Sequence, residues 1–161
     1  MLKRAVQKFA VLAAAVPLAL AVPAPALADV SDTPEAVLMS RIVTQTNQQR
    51  FAAGCGQLDV DQELIVASQR QSSYMAATGT FSHIGRGGST FAGRARAAGY
   101  ATPAGENIAW GFGSATAVMK AWMASPAHRR NILNCDVQSI GTGVSYAADG
   151  TPYFTQVFGW R

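Results

Sequence analysis

From Ser139 to Trp160 the chain reads "SIGTGVSYAADGTPYFTQVFGW", and its apolar residues recur every second position. Val144 and Tyr146, then Tyr153, Thr155 and Val157, alternate as residues of paired strands do, and Asp149-Gly150 supplies a turn between them. Everything before this stretch is spaced differently. A chain that puts helices first and a hairpin last has one economical solution, an α+β fold in which helices cover antiparallel strands.

The helical part divides at clear signals. "TPEAVLMSRIVTQTNQQRFAAG" has Thr33 to cap, Pro34 and Glu35 in the first turn and Gly54 as a stop. Leu38, Ile42 and Phe51 give it a partial apolar face. In "DVDQELIVASQRQSSYMAATG", Asp59 with Gln62 three residues on predicts a capping box, and Gly79 ends the helix. Leu64, Ala67, Ser68, Gln71, Tyr74, Met75 and Thr78 fall at helical spacing. After the glycine-rich loop "TFSHIGRGGS" comes a short helix capped by Ser89 or Thr90 and closed by Gly99. "GENIAW" predicts a buried strand. "GSATAVMKAWMAS" predicts a helix from Ser114 with Val118, Ala121 and Trp122 on one face, and "PAHRRNIL" a further short one.

The N-terminus bears on where such a domain works. Lys3, Arg4 and Lys8 precede an apolar run, Phe9 to Val22, and then "APALA" ending at Ala28. A basic head, a short apolar middle and an Ala-x-Ala exit predict a Sec-type secretory signal over residues 1–28, with residues 29–161 as one domain. A membrane anchor is disfavoured by the short run and by Pro17, Pro23 and Pro25. Of thirteen basic residues the signal takes three, and of nine acidic residues none. The exported part is thus expected to carry ten against nine, close to neutral. With no basic stripe beyond Arg129-Arg130, nucleic acid is excluded as a partner. Cys55 and Cys135 are an even pair in an exported chain, which predicts one disulfide tethering the front of the domain to its back in inter-strand fashion.

Most familiar chemistry finds no purchase. "GFGSA" is not the G-x-S-x-G elbow, and Ser125 before Pro126 suits a helix cap better than a nucleophile for His128. "GFGSAT" has Thr116 where a dinucleotide loop needs its third glycine, and H-E-x-x-H is missing. What remains is one acid in a long basic stretch. Between Glu63 and Asp136 the only carboxylate is Glu106, and both histidines, His83 and His128, lie in the same interval. Two imidazoles and a carboxylate suit a zinc site or a general base. The bland readings are that Glu106 pairs with Arg94 or Arg129, that His83 bonds loop carbonyls, and that His128 is a solvated surface group.

"FSH", "GENIAWG", "AVMKAWMASPAHRRNIL" and "YFTQVFGW", in that order, resemble the CAP superfamily of cysteine-rich secretory, antigen 5 and pathogenesis-related proteins (SCP domains), in its small bacterial branch. The resemblance spans Ile42 to Trp160 and implies a three-layer α-β-α sandwich. In eukaryotic-type relatives a cleft holds two His and two Glu able to bind a divalent metal. His83 matches the first of these histidines and Glu106 the glutamate of the G-E-N motif. Where the second acid and second histidine would fall stand Ser125 and Tyr153. His128 is typical of the bacterial branch and is expected at the same cleft. "GRGGST" stands where relatives tend to carry Asp-Gly.

The resemblance therefore implies a polar cleft of His83, Glu106 and His128, with Asn107, Ser125 and Tyr153 around it, binding a divalent metal such as zinc weakly if at all. Glu106 is expected to form its floor, anchored into the sheet by Ile108 and Trp110. The implied function is that of a secreted, non-catalytic module at the cell envelope or outside the cell. Its ligand would be a lipid, a wall component or a protein, and it is expected to be monomeric. The competing readings are a metal-dependent hydrolase of peptide or cell-wall substrates, with His83 and His128 as ligands and Glu106 as a further ligand or the base, and a lipid or sterol binder using aromatics such as Tyr100, Trp110 and Phe112. The blandest is a cluster that serves stability alone.

Overall fold

The computed structural model describes residues 33–160, so the expected signal segment lies outside the described residues. Helix α1, Pro34–Ala52, begins where Thr33 Oγ1 accepts from the Ala36 N–H. Its inward face is carried by Ile42, Thr46 and Arg50, while Phe51, expected inside, is exposed. Strand β1, Asp59–Val60, follows, and then α2, Gln62–Thr78, α3, Phe91–Ala97, and strand β2, Pro103–Trp110. Helices α4, Ala115–Ala124, and α5, Pro126–Ile132, precede the hairpin strands β3, Ser139–Tyr146, and β4, Pro152–Gly159.

The α2 cap differs from the sequence expectation. Asp61, not Asp59, accepts from the Leu64 N–H, because Asp59 and Val60 are taken up in β1, pairing parallel to Ser139 and Ile140. The sheet is accordingly mixed rather than wholly antiparallel. Its order is β1-β3-β4-β2, with β4 antiparallel to both of its neighbours. Two paired residues were too few to leave a period in the sequence.

Helices cover both faces of this sheet. On one face Ile42 of α1, Val118, Met119 and Trp122 of α4 and Ile132 of α5 pack on Ile140, Val144, Phe154 and Phe158. On the other, Leu64 and Ala67 of α2 and Ala95 of α3 pack on Val157, and Met75 packs with Ile108 and Tyr153. Alternation along β4 divides its side chains between the two cores, which is why the strand is buried from Tyr153 to Gly159. Trp122 is fully buried, and its indole N–H donates to the Ile108 carbonyl on β2.

Cys55 and Cys135 are joined. The bond links the loop after α1 to the loop after α5, not two strands as expected, because both cysteines lie beyond the ends of their helices. Arg50 organises the same region. Fully buried, its guanidinium donates to the carbonyls of Gly56, Ile132, Asn134 and Val137 at 2.6–3.1 Å. It satisfies loop and helix-end acceptors that would otherwise be buried unpaired.

Candidate functional site

Alternation along β2 sends neighbouring polar residues to opposite faces. Glu106 points toward α3 and the loop after α2. Its side chain is 1% exposed, Oε1 lies 2.8 Å from His83 Nδ1, and Oε2 accepts from Arg94 Nη2 at 2.6 Å. A buried carboxylate needs compensation, and here each oxygen has one partner. Arg94, on α3, also donates to the carbonyls of His83 and Ser89, so the same guanidinium fixes the acid and the loop that carries the histidine. Of the two arginines the sequence left open as partners, Arg94 is the one that pairs.

Asn107, expected beside Glu106 in the cleft, is fully buried on the other face. It belongs to a polar core in which Gln156 donates to Thr46, Asn107 to Gln156, and Asn131 to Asn107. Asn107 also donates to the His128 carbonyl, so this network ties α5 to β2. Asn131 donates to the Glu106 carbonyl. With Trp122 on Ile108, this means that side chains from α4 and α5 occupy outward-facing carbonyls of β2, an edge strand.

His83 and His128 approach this edge from different layers, His83 from the loop after α2 and His128 from α5. The His83 side chain is 53% exposed. Burial, and secondarily the neighbouring His83, lower the His128 pKa below the ordinary histidine value. Beside His128 lies a cleft of ≈ 430 Å³, lined by Phe81, Ile108, Trp110, Phe112, Trp122 and Ser125 among others. Ser125 thus stands in the cleft wall. Tyr153 is buried, its ring stacked on that of Trp110 with centroids 6.3 Å apart.

Trp110 is not the anchor that the sequence suggested. It ends β2 with 53% of its surface exposed, and Phe81, 48% exposed, stands beside it with centroids 6.4 Å apart. The position immediately before Gly111, where the strand runs out of neighbours, was the available signal. Phe81 opens "FSH", a motif in which only the histidine carries an obvious chemical signal.

The donor set does not fit a tetrahedral zinc site. Glu106 has both oxygens engaged, and the Arg94 guanidinium fills the cation position beside it. Among the described residues no three His, Cys, Asp or Glu side chains gather as metal ligands.

Residues 43–158 match the sequence profile of the cysteine-rich secretory protein family, CAP. The uncharacterized protein YkwD of Bacillus subtilis strain 168 is 36% identical over 121 residues, 74% of this chain and 46% of that protein. The uncharacterized membrane protein YlbC of the same strain is 30% identical over 120 residues, 73% of this chain and 33% of that protein. An extracellular protein containing an SCP domain from Bacillus anthracis superposes with a TM-score of 0.70 at 28% identity, over 78% of this chain and 41% of that one. This chain spans less than half the length of each of these relatives. Among the described residues no helix is long and apolar enough to cross a membrane.

Proposed function

This chain belongs to the cysteine-rich secretory protein (CAP) family, and on that premise we propose that it is a secreted, non-catalytic binding module. Its ligand site is the cleft at the β2 edge between Trp110 and His128. The observation that carries this reading is the state of Glu106. Its side chain is almost wholly out of water, and both oxygens are held by His83 and Arg94. A general base or metal ligand must face its substrate or ion, and this carboxylate is 1% exposed with each oxygen already bonded to the protein. It is a polar strut that fixes the His83 loop beside the cleft.

The extracellular description of the Bacillus anthracis protein supports export of this chain, as do the basic head and Ala-x-Ala exit of residues 1–28. The test is co-sedimentation of the purified protein with isolated cell-envelope fragments, followed by assay of the supernatant for released sugars and peptides. The protein is expected to sediment, to release nothing, and to lose binding in Trp110→Ala and His128→Ala. Fragment release that requires His83 and is stopped by a chelator, with stoichiometric zinc in the purified protein, would replace this reading with the hydrolase. Binding that survives both substitutions would place the ligand elsewhere.

A further inference from the structure

The aromatic rim gives the cleft a chemical preference, and the inference here rests on the reading of the cleft as a ligand site. Trp110 and Phe81 keep about half of their surface in water, side by side at its mouth. Large aromatics placed together in the open mark contact surfaces. The indole is held from the protein side: Trp110 and Tyr153 are cross-strand partners on β2 and β4, and their rings stack 21° from parallel. Trp110 is thus a supported flat face. Behind the rim the lining carries His128 and Ser125, both able to hydrogen-bond.

Charge and backbone geometry narrow the occupant. No Asp, Glu, Lys or Arg lines the cleft, and its one titratable group, His128, is harder to protonate than an ordinary histidine. An anionic headgroup therefore meets no fixed cation, and a cationic one no carboxylate. A peptide adding as a further strand needs the outward-facing groups of β2, but the carbonyls of Glu106 and Ile108 already accept from Asn131 and Trp122. What fits is an uncharged ring with an apolar C–H face and a polar perimeter.

We propose that the rim is a saccharide-binding subsite, in which a neutral pyranose ring lays its C–H face on the exposed indole of Trp110, flanked by Phe81, and directs hydroxyls to His128 and Ser125. The ring's C–H bonds meet the electron-rich indole face, and its hydroxyls keep partners on leaving water. One such subsite gives weak, millimolar-range binding, which successive sugar units would strengthen.

The test follows the Trp110 indole N–H signal by NMR in the purified protein, identified by its disappearance in Trp110→Phe. The titrants are N-acetylchitotetraose, maltotetraose, laurate and tetra-alanine. At least one tetrasaccharide is expected to shift the signal saturably below about 10 mM, with laurate and tetra-alanine inert. By calorimetry Trp110→Ala is expected to weaken that binding about tenfold or more, while Trp110→Phe, which keeps a flat face, stays within about threefold. The melting temperature of Trp110→Phe should stay close to that of the parent, and Trp110→Ala, which gives up the half of the side chain packed on Tyr153 and Phe81, should stay folded at a somewhat lower one. Silence of the indole signal to both tetrasaccharides, or saccharide binding indifferent to Trp110→Ala, overturns the proposal. If the tetrasaccharides fail while envelope fragments still bind in a Trp110- and His128-dependent way, the cleft stands as the ligand site and only the saccharide assignment falls.

Discussion

Arg94 Nη2 and Glu106 Oε2 are 2.6 Å apart with both side chains nearly excluded from water, so each is the other's principal charge compensation. Removing one partner of such a pair leaves a buried charge and costs about 3–5 kcal/mol, whereas replacing both by apolar groups is often close to neutral. Arg94→Met is therefore expected to lower the melting temperature by roughly 10 °C in a domain of this size. The double variant Arg94→Met/Glu106→Leu should recover much of that loss. Calorimetric melting of the single and double variants checks this, and additive losses would show that the two side chains are not coupled.

His128 gives the stability a pH dependence of known sign. Burial first, and His83 second, make its imidazole harder to protonate in the folded protein than in the unfolded chain. Above about pH 6.5, the ordinary histidine value, the group is neutral in both states and contributes nothing. As pH falls below that value the unfolded chain takes up the proton first, so stability declines until the folded pKa is passed. His128→Gln removes this component. Urea unfolding of parent and variant between pH 8 and 5 should give curves that converge at the alkaline end, the parent falling further on the acid side. Equal slopes would mean that His128 titrates as it does in the unfolded chain.

Much of the fold was legible because local signals agreed with the tertiary solution. Thr33, Thr90 and Ser114 each cap the helix that the sequence assigns them. The hairpin follows its alternation, and the cysteines pair. What failed was decided by contacts rather than by period. Asp59 carries a good cap residue type, but its backbone is worth more in pairing with Ser139. Trp110 sits in an apolar run, yet it falls at the end of an edge strand, where Tyr153 and Phe81 cover only about half of it. The importance of Glu106 followed from its isolation in a basic stretch, while the choice of Arg94 over Arg129 needed the distance between α3 and β2. Asn107 went to the opposite face because strand alternation separates adjacent residues, a rule that motif spacing does not carry.

The Cys55–Cys135 bond closes a loop of 80 residues. Chain-entropy reasoning puts its contribution at roughly 4–5 kcal/mol as an upper figure, since residual structure in the reduced unfolded chain lessens it. Arg50 pins the same two loops through four carbonyls, so the fold is expected to persist on reduction at reduced stability. Cys55→Ser/Cys135→Ser should unfold at lower denaturant with native circular dichroism retained at none. Adding Arg50→Met should abolish folding at ordinary temperature, because the carbonyls then lose their donor and the loops their tether. Survival of the triple variant would show that the helices alone hold the domain.

Gly143 records how closely α2 approaches the sheet. A Cβ built there would stand 2.5 Å from Gln69 N and from the Ser68 carbonyl carbon, both backbone atoms that no side-chain rotation can move. At this contact Ser68 donates to the Gly141 carbonyl, Ser72 donates to the Gly143 carbonyl, and Gln69 donates to that of Val144. Lifting α2 to admit a methyl group would stretch three hydrogen bonds and open a gap along Leu64 and Met75. Gly143→Ala is expected to cost more than about 4 kcal/mol and to yield little soluble protein. Gly150→Ala, with φ +83 in the hairpin loop and open space around it, should cost only about 1 kcal/mol for the left-handed backbone. Denaturant unfolding of the two variants side by side separates helix–sheet contact from backbone strain, and a mild Gly143→Ala would mean that the helix rides on the sheet with slack.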